Sequence, residues 1–302
     1  LGLSLGARAI AALIFGLHPM HVESVAWLTE RKDVLYSFFY LLAVIFYWQY
    51  LNISSGRRPR NSLPPKLFFP AAVVCGVLSA LAKPMALSLP LIFFLLDWYS
   101  RRKFSVRLLT EKVWVALFVF PIILMSYLNF ARTVDLQPLR SFLVWVWCFI
   151  FYLRKFFFPT DFYMFYWLPP PLSLKNPAYF IPVITFVLIL VGIIRWRQQR
   201  LLLFSFAWYF FSIFFILRYD YLHDADIVAD RFMYLPSLGF CLLLGAALER
   251  LWQNTKTRQL NIAVGMLMLV GLIYLSARTF QQIAIWRDSV SFWSYQIKRH
   301  EK

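Results

Sequence analysis

Charge is scarce in this chain of 302 residues. Charged residues make up 15% and the acidic ones number only 14, whereas an average soluble domain is roughly 25% charged. Glycine is scarce as well, at 10 residues, and neither GxGxxG nor GxxxxGK occurs. That excludes the glycine-rich loops that cradle nucleotide phosphates. Only three cysteines are present, Cys75, Cys148 and Cys241, far apart and inside apolar runs. With no CxxC pair, neither a zinc site nor a disulfide framework is indicated. No period of 20–50 residues repeats, which excludes solenoid and propeller architectures.

What fills the chain is apolar: 61% hydrophobic, 20% aromatic, mean hydropathy +0.64. A soluble fold of this length buries about three-quarters of its surface at most, so this composition calls for lipid as the solvent. The same numbers exclude disorder. The expected fold class is all-α, a polytopic transmembrane helical bundle. A span needs about 20 apolar residues, fewer where the bilayer thins or the ends snorkel. The runs 1–17, 34–51, 67–82, 85–99, 113–130, 177–194, 201–217, 232–248 and 259–277 give about nine spans by that measure. A tenth run, 141–158, is ambiguous: it ends in Arg154 and Lys155 and flows into an aromatic, proline-rich stretch. The segment 1–277 reads as a membrane core and 278–302 as a polar, amphipathic linker. Leu1 already lies in an apolar stretch without a charged n-region or cleavage site, so this is no signal peptide and a start further upstream is expected.

The net charge is +17, from 31 Lys+Arg. These cations cluster at the ends of apolar runs, as topology signals and headgroup contacts do, so no nucleic-acid partner is expected. Segments 52–66 (Arg57, Arg58, Arg60, Lys66) and 100–112 (Arg101, Arg102, Lys103, Arg107, Lys112) read as cytoplasmic. Segments 18–33, Lys83–Pro84 and 131–140 then face outward. Cations alone leave the second half tied, because the count depends on whether 141–158 crosses.

Polar chemistry gathers at four places. The densest is His18-Pro19-Met20-His21-Val22-Glu23-Ser24-Val25-Ala26-Trp27 with Glu30-Arg31-Lys32-Asp33. Ionisable groups at a membrane surface are functional candidates. Arg31 or Lys32 suits a phosphate and His or Glu suits proton transfer; an interfacial helix cap reads equally well. The spacing is not that of an HExxH site, and no metal is assigned. The second place is Ala82-Lys83-Pro84-Met85, an anchor or a point charge for a lipid phosphate. The third is Tyr152-Leu153-Arg154-Lys155 through Asp161, followed by Phe165-Tyr166-Trp167: two cations in an aromatic belt. The fourth is Asp220, Asp224 and Asp226, then Ala229-Asp230-Arg231-Phe232-Met233-Tyr234-Leu235-Pro236 at the mouth of a span.

In this order, and with Leu89-Pro90, Leu96-Asp97-Trp98, Phe158-Pro159 and Trp286-Arg287-Asp288-Ser289, these motifs resemble the TMTC-like, tetratricopeptide-linked membrane proteins, particularly their bacterial members. The resemblance covers nearly the whole chain, most specifically in the first motif and in Ala-Asp-Arg-x-x-Tyr-Leu-Pro. It implies a C-type glycosyltransferase-like bundle, akin to protein O-mannosyltransferases, with one re-entrant or interfacial helix. It also implies transfer of a mannose-like sugar from a polyprenyl-phosphate donor to a protein or other acceptor on the periplasmic or lumenal face. No cofactor is implied beyond that lipid-linked co-substrate. Arg31, Lys32, Lys83, Arg154, Lys155 and Arg231 are the expected donor-phosphate ligands. His18, His21, Glu23, Asp33, Asp230 and Tyr234 would position sugar or acceptor. The catalytic acid is expected on a loop before Leu1, and a tetratricopeptide array after Trp286-Arg287-Asp288-Ser289, so a bacterial inner-membrane enzyme (endoplasmic reticulum in a eukaryote) cut at both ends is the expectation. The alternative is a non-catalytic platform displaying that array. A common donor site requires the His-Pro-x-His loop, Arg154–Lys155 and Asp230–Arg231 to share a face, which favours 141–158 not crossing.

Overall fold

A computed structural model describes residues 2–56, 64–130, 137–217, 227–255 and 257–300. Twelve α-helices and short 3-10 turns form the regular structure, with no strand among the described residues. The helices are α1 (Leu5–Leu17), α2 (Val22–Ala26), α3 (Arg31–Ser54), α4 (Pro65–Ala82), α5 (Leu89–Tyr99), α6 (Val106–Phe130), α7 (Pro138–Phe157), α8 (Pro177–Arg195), α9 (Arg200–Ile213), α10 (Leu238–Asn254), α11 (Arg258–Ile285) and α12 (Ser289–His300). The all-α expectation holds. The chain forms two compact units: Leu1–Glu30, Val134–Tyr209 and Leu217–Lys302 make the first, Arg31–Thr133 and Phe210–Ile216 the second.

The number of spans is corrected. Among the described residues three helical stretches are long and apolar enough to cross a membrane: Leu28–Ser54, Pro177–Arg195 and Arg258–Ile285. Leu5–Leu17 and Pro19–Ala26, bent by 54°, make a fourth only if the bent pair is one span. The physical reason is length. The runs expected at 67–82, 85–99 and 201–217 fold as shorter apolar helices, Lys66–Ala82, Pro84–Tyr99 and Arg200–Ile213. At 1.5 Å per residue the last of these covers about 21 Å of a hydrocarbon core about 30 Å thick. Apolar content marks these runs, divided at Lys83–Pro84, but does not give the length of helix that each one forms. The expected basic cluster Arg57, Arg58 and Arg60, the loop at 131–136, and Asp220, Asp224 and Asp226 lie outside the described residues.

In the first unit Ser4 caps α1 by accepting the Ala7 amide at 3.1 Å. Buried Ala7 and Ala11 lie against α10 at Gly245. Without strong hydrophobic drive in lipid, such close approach of small residues is how membrane helices gain dispersion energy. A Cβ on Gly245 would stand 2.4 Å from the Ala7 carbonyl oxygen and 3.0 Å from the Ala11 nitrogen. Helix α7 is buried along most of 141–156. Its Trp145 and Phe149 meet Phe186 of α8 edge-on, at 5.7 and 5.4 Å, and the Tyr209 hydroxyl of α9 donates to the Phe149 carbonyl at 2.7 Å. By contrast α11 is apolar and exposed, with only Gln282 buried.

In the second unit α3 buries Tyr36, Tyr40, Ala43, Tyr47 and Leu51, a stripe at helical spacing against α4. The Ser79 hydroxyl donates to the Tyr36 carbonyl at 2.9 Å. At the far end of α3, Tyr47 donates to Asp97 and Tyr50 to Glu111, while Arg102 grips Glu111 through both terminal nitrogens at 2.6 and 2.9 Å. Lys112 pairs with Asp97. Arg102 and Lys112 are thus ion-pair partners, where the sequence presents them simply as part of a basic topology cluster.

Gly245→Ala must push α1 and α10 apart, a change of the kind that costs about 1–3 kcal/mol. The expected result in detergent is a lower midpoint of thermal unfolding, read by intrinsic fluorescence. Gly271→Ala, where no atom lies within 4 Å of the added carbon, is expected to leave the midpoint unchanged or raise it.

Candidate functional site: a clamped arginine beside a buried aspartate

The polar end of the first unit is built from three non-contiguous segments: 18–30, the end of α7 with the loop that follows, and the 3-10 turn Asp230–Met233. Pro19 starts a 3-10 turn after His18, whose Nδ1 accepts the Met20 amide at 3.3 Å. The other ring nitrogen, Nε2, donates to the Phe156 carbonyl at 3.0 Å, and the ring stacks on Phe156 at 4.9 Å. His21 donates from Nδ1 to the Phe15 carbonyl at 2.7 Å and meets the Ser237 hydroxyl at 2.9 Å through Nε2. Tyr234 packs edge-on against His21 at 5.0 Å. Both histidines are buried with both nitrogens engaged, so they brace segment 18–30 against α7 and the start of α10.

That bracing brings Glu23, in the first turn of α2, onto Arg231. One carboxylate oxygen accepts the Arg231 backbone amide at 3.0 Å and the other accepts Nη1 at 2.6 Å. Glu30 stands 3.7 Å from Arg231 Nε. The guanidinium also lies over the rings of Trp27 at 5.5 Å and Phe232 at 5.0 Å. Charge-assisted bonds of this kind are about twice as strong as neutral ones.

Asp230, next in the chain, turns the other way. One carboxylate oxygen accepts the Tyr166 hydroxyl; the other, Oδ1, is buried with no hydrogen-bond partner. Burial raises the Asp230 acid to about 6 against the opposing pull of Lys155 and Tyr166, and burial beside Asp230 holds the Tyr166 phenol far above its ordinary value. Lys155 is buried too. Its ammonium donates to the carbonyls of Thr160 (2.9 Å) and Asp161, which the left-handed backbone at Asp161 (φ 54°) turns toward it. The rings of Tyr166, Phe162, Phe151 and Tyr163 surround it at 4.8–5.6 Å. Its neighbour Arg154 is exposed. No group of three or more His, Cys, Asp or Glu able to hold a metal occurs among the described residues.

No protein-family model matches the chain, and no solved structure matches it. A protein O-mannosyl-transferase of Caenorhabditis elegans is 21% identical over 94% of the chain. Tmtc2, a protein O-mannosyl-transferase of Drosophila melanogaster, is 40% identical over 72 residues, and the human protein O-mannosyl-transferase TMTC4 is 27% identical over 107. The chain is similar to these protein O-mannosyl-transferases. The aligned region makes up 40% of the worm protein, 7% of Tmtc2 and 14% of TMTC4.

Of the residues expected in a TMTC-like site, the first unit brings together His18, His21, Glu23, Lys155, Asp230, Arg231 and Tyr234. Arg31, Lys32, Asp33 and Lys83 belong to the second unit, where Lys83 at the end of α4 forms a buried ion pair with Asp33 in the first turn of α3. Arg31 is exposed. Sequence reasoning gave no role to Tyr166 or Glu30. Tyr166 stood in an aromatic run with nothing to separate it from Phe165 and Trp167. Glu30 stood in the Glu-Arg-Lys-Asp run, and only the fold shows that it turns toward Arg231.

Asp230 gives a pH signature. With the folded acid near 6 and an unperturbed value of 3.8, the native state holds a proton the unfolded chain has lost between those limits. Stability contributed by this group is full below pH 3.8 and falls as pH rises through about 6. Thermal midpoints across that window are expected to drop less with rising pH in Asp230→Asn than in the wild-type chain.

Proposed function

We propose that this chain is the membrane core of a glycosyltransferase that moves a mannose-like sugar from a polyprenyl-phosphate donor to a protein acceptor on the periplasmic or lumenal face. The observation that carries the reading is the end-to-end similarity to a protein O-mannosyl-transferase over 94% of the chain. The geometry supports it in kind. A lipid-linked donor needs no soluble nucleotide site, and a sugar phosphate leaving with its negative charge is stabilised by cations fixed beforehand at the membrane surface.

Within that reading the cations divide by what already holds them. Arg154 in the first unit, and Arg31 and Lys32 in the second, are exposed, and each by itself is a candidate to meet the donor phosphate. Arg231, Lys155 and Lys83 are held by Glu23, by the 160–161 carbonyls and by Asp33. They act as positioning residues, each fixing the segments of its own unit. Glu23 and Asp230 then shape the pocket for sugar and acceptor, and His18, His21 and Tyr234 hold those two carboxylates in register.

The test is transfer from polyprenyl-phosphate mannose by the full-length polypeptide that contains this chain, reconstituted in vesicles. Arg31→Ala and Arg154→Ala are expected to lower transfer by about 10- to 1,000-fold, the range seen when a single charge-stabilising donor is removed, while the thermal midpoint is unchanged. Wild-type transfer in both variants removes them from the phosphate role. Absence of transfer by the wild-type polypeptide, with every protein acceptor tried, favours the platform reading.

A further inference from the structure

The Trp286-Arg287-Asp288-Ser289 motif takes no part in the site above, yet it begins a helix with two different faces. Asp288 accepts the Ser291 amide at 2.8 Å and the Ser291 hydroxyl at 2.9 Å, which starts α12 three residues after α11 ends. One face of α12 is seated on the protein. Phe292 is buried against Trp286 at 4.6 Å, Tyr295 stacks on Tyr163 at 6.1 Å, and Gln296 accepts the Met164 amide at 3.4 Å. The Tyr295 and Gln296 contacts land on the loop that carries Tyr166. The other face bears Val290, Trp293 and Ile297, which are 78, 49 and 57% exposed, although the Trp293 ring also stacks on Phe165 at 6.5 Å. Their spacing of three and four residues places them in one apolar stripe, and the basic residues Arg287 and Lys298 lie beside it.

We propose that α12 is an interfacial helix whose Val290–Trp293–Ile297 face lies in the headgroup region of the bilayer, and that it holds the 162–167 loop at that level. The occupant is the bilayer because the stripe continues a lipid-facing surface. Helix α11 is a span with none of its apolar window buried, and only Trp286, Arg287 and Asp288 separate its end from α12. The apolar run of α11 ends near 277, and its last two turns carry Arg278, Gln281 and Gln282, so α12 follows a stretch of α11 that has already left the hydrocarbon. An amphipathic helix with an aromatic residue on its apolar face and flanking cations is what an anionic membrane surface retains. The proposal rests on the membrane reading and is independent of the transfer reaction.

The test is spin-label accessibility in the full chain, reconstituted in phosphatidylcholine–phosphatidylglycerol vesicles. Single labels go at Val290→Cys, Ile297→Cys and Lys298→Cys. Cys75, Cys148 and Cys241 are buried, and the unlabelled-site background is read from the wild-type chain. The expected result is an oxygen-to-nickel accessibility ratio several-fold higher at 290 and 297 than at 298. Nickel accessibility equal at all three positions overturns the proposal, since the stripe then faces water. Shielding of 290 and 297 from both reagents overturns it as well, because protein then covers the stripe.

Discussion

Arg231 holds the polar end of the first unit together. Its guanidinium and its own backbone amide both reach one carboxylate, Glu23, while Glu30 and the Trp27 ring approach the same group. This interaction ties residue 23 to residue 231 across nearly the whole chain. A buried charge left without its partner is costly, typically several kcal/mol, so segment 18–30 and the turn at 230–233 have one low-energy relation to each other. The histidine braces and the Tyr234 packing hold the same register.

The consequence is a division between charges used for structure and charges left available. Glu23–Arg231 is a part-buried pair and Asp33–Lys83 a buried one, in separate units. Lys155 is enclosed by rings and carbonyls rather than by an anion. Arg31 and Arg154 remain at the surface. In a chain with an excess of 17 positive charges, only some cations are taken up by these internal contacts. Among the described residues Asp230 is the one carboxylate with a buried oxygen that has no hydrogen-bond partner, and burial makes it a weaker acid than a solvated aspartate.

Much of this was legible in the sequence. The all-α class follows from composition, and the His-Pro-x-His and Ala-Asp-Arg motifs were marked as the polar centres that the fold brings into one unit. The number of spans was not legible. Apolar content divides the runs at Lys83–Pro84 but does not tell a span from the shorter apolar helices Lys66–Ala82, Pro84–Tyr99 and Arg200–Ile213. Pairing was not legible either. Glu23 and Arg231 are 208 positions apart, and local spacing carries no signal at that distance. Tyr166 was hidden for a different reason: its hydroxyl matters only because Asp230 lies beside it.

A double-mutant cycle on Glu23 and Arg231 tests this account most directly, with thermal or denaturant unfolding in detergent as the readout. Arg231→Met alone leaves Glu23 buried and unpaired and is predicted to lose about 3–5 kcal/mol. The double variant Glu23→Gln with Arg231→Met is predicted to be much more stable than the two single losses added together. Single losses that add within about 0.5 kcal/mol would contradict it, because independent sites behave that way and paired ones do not.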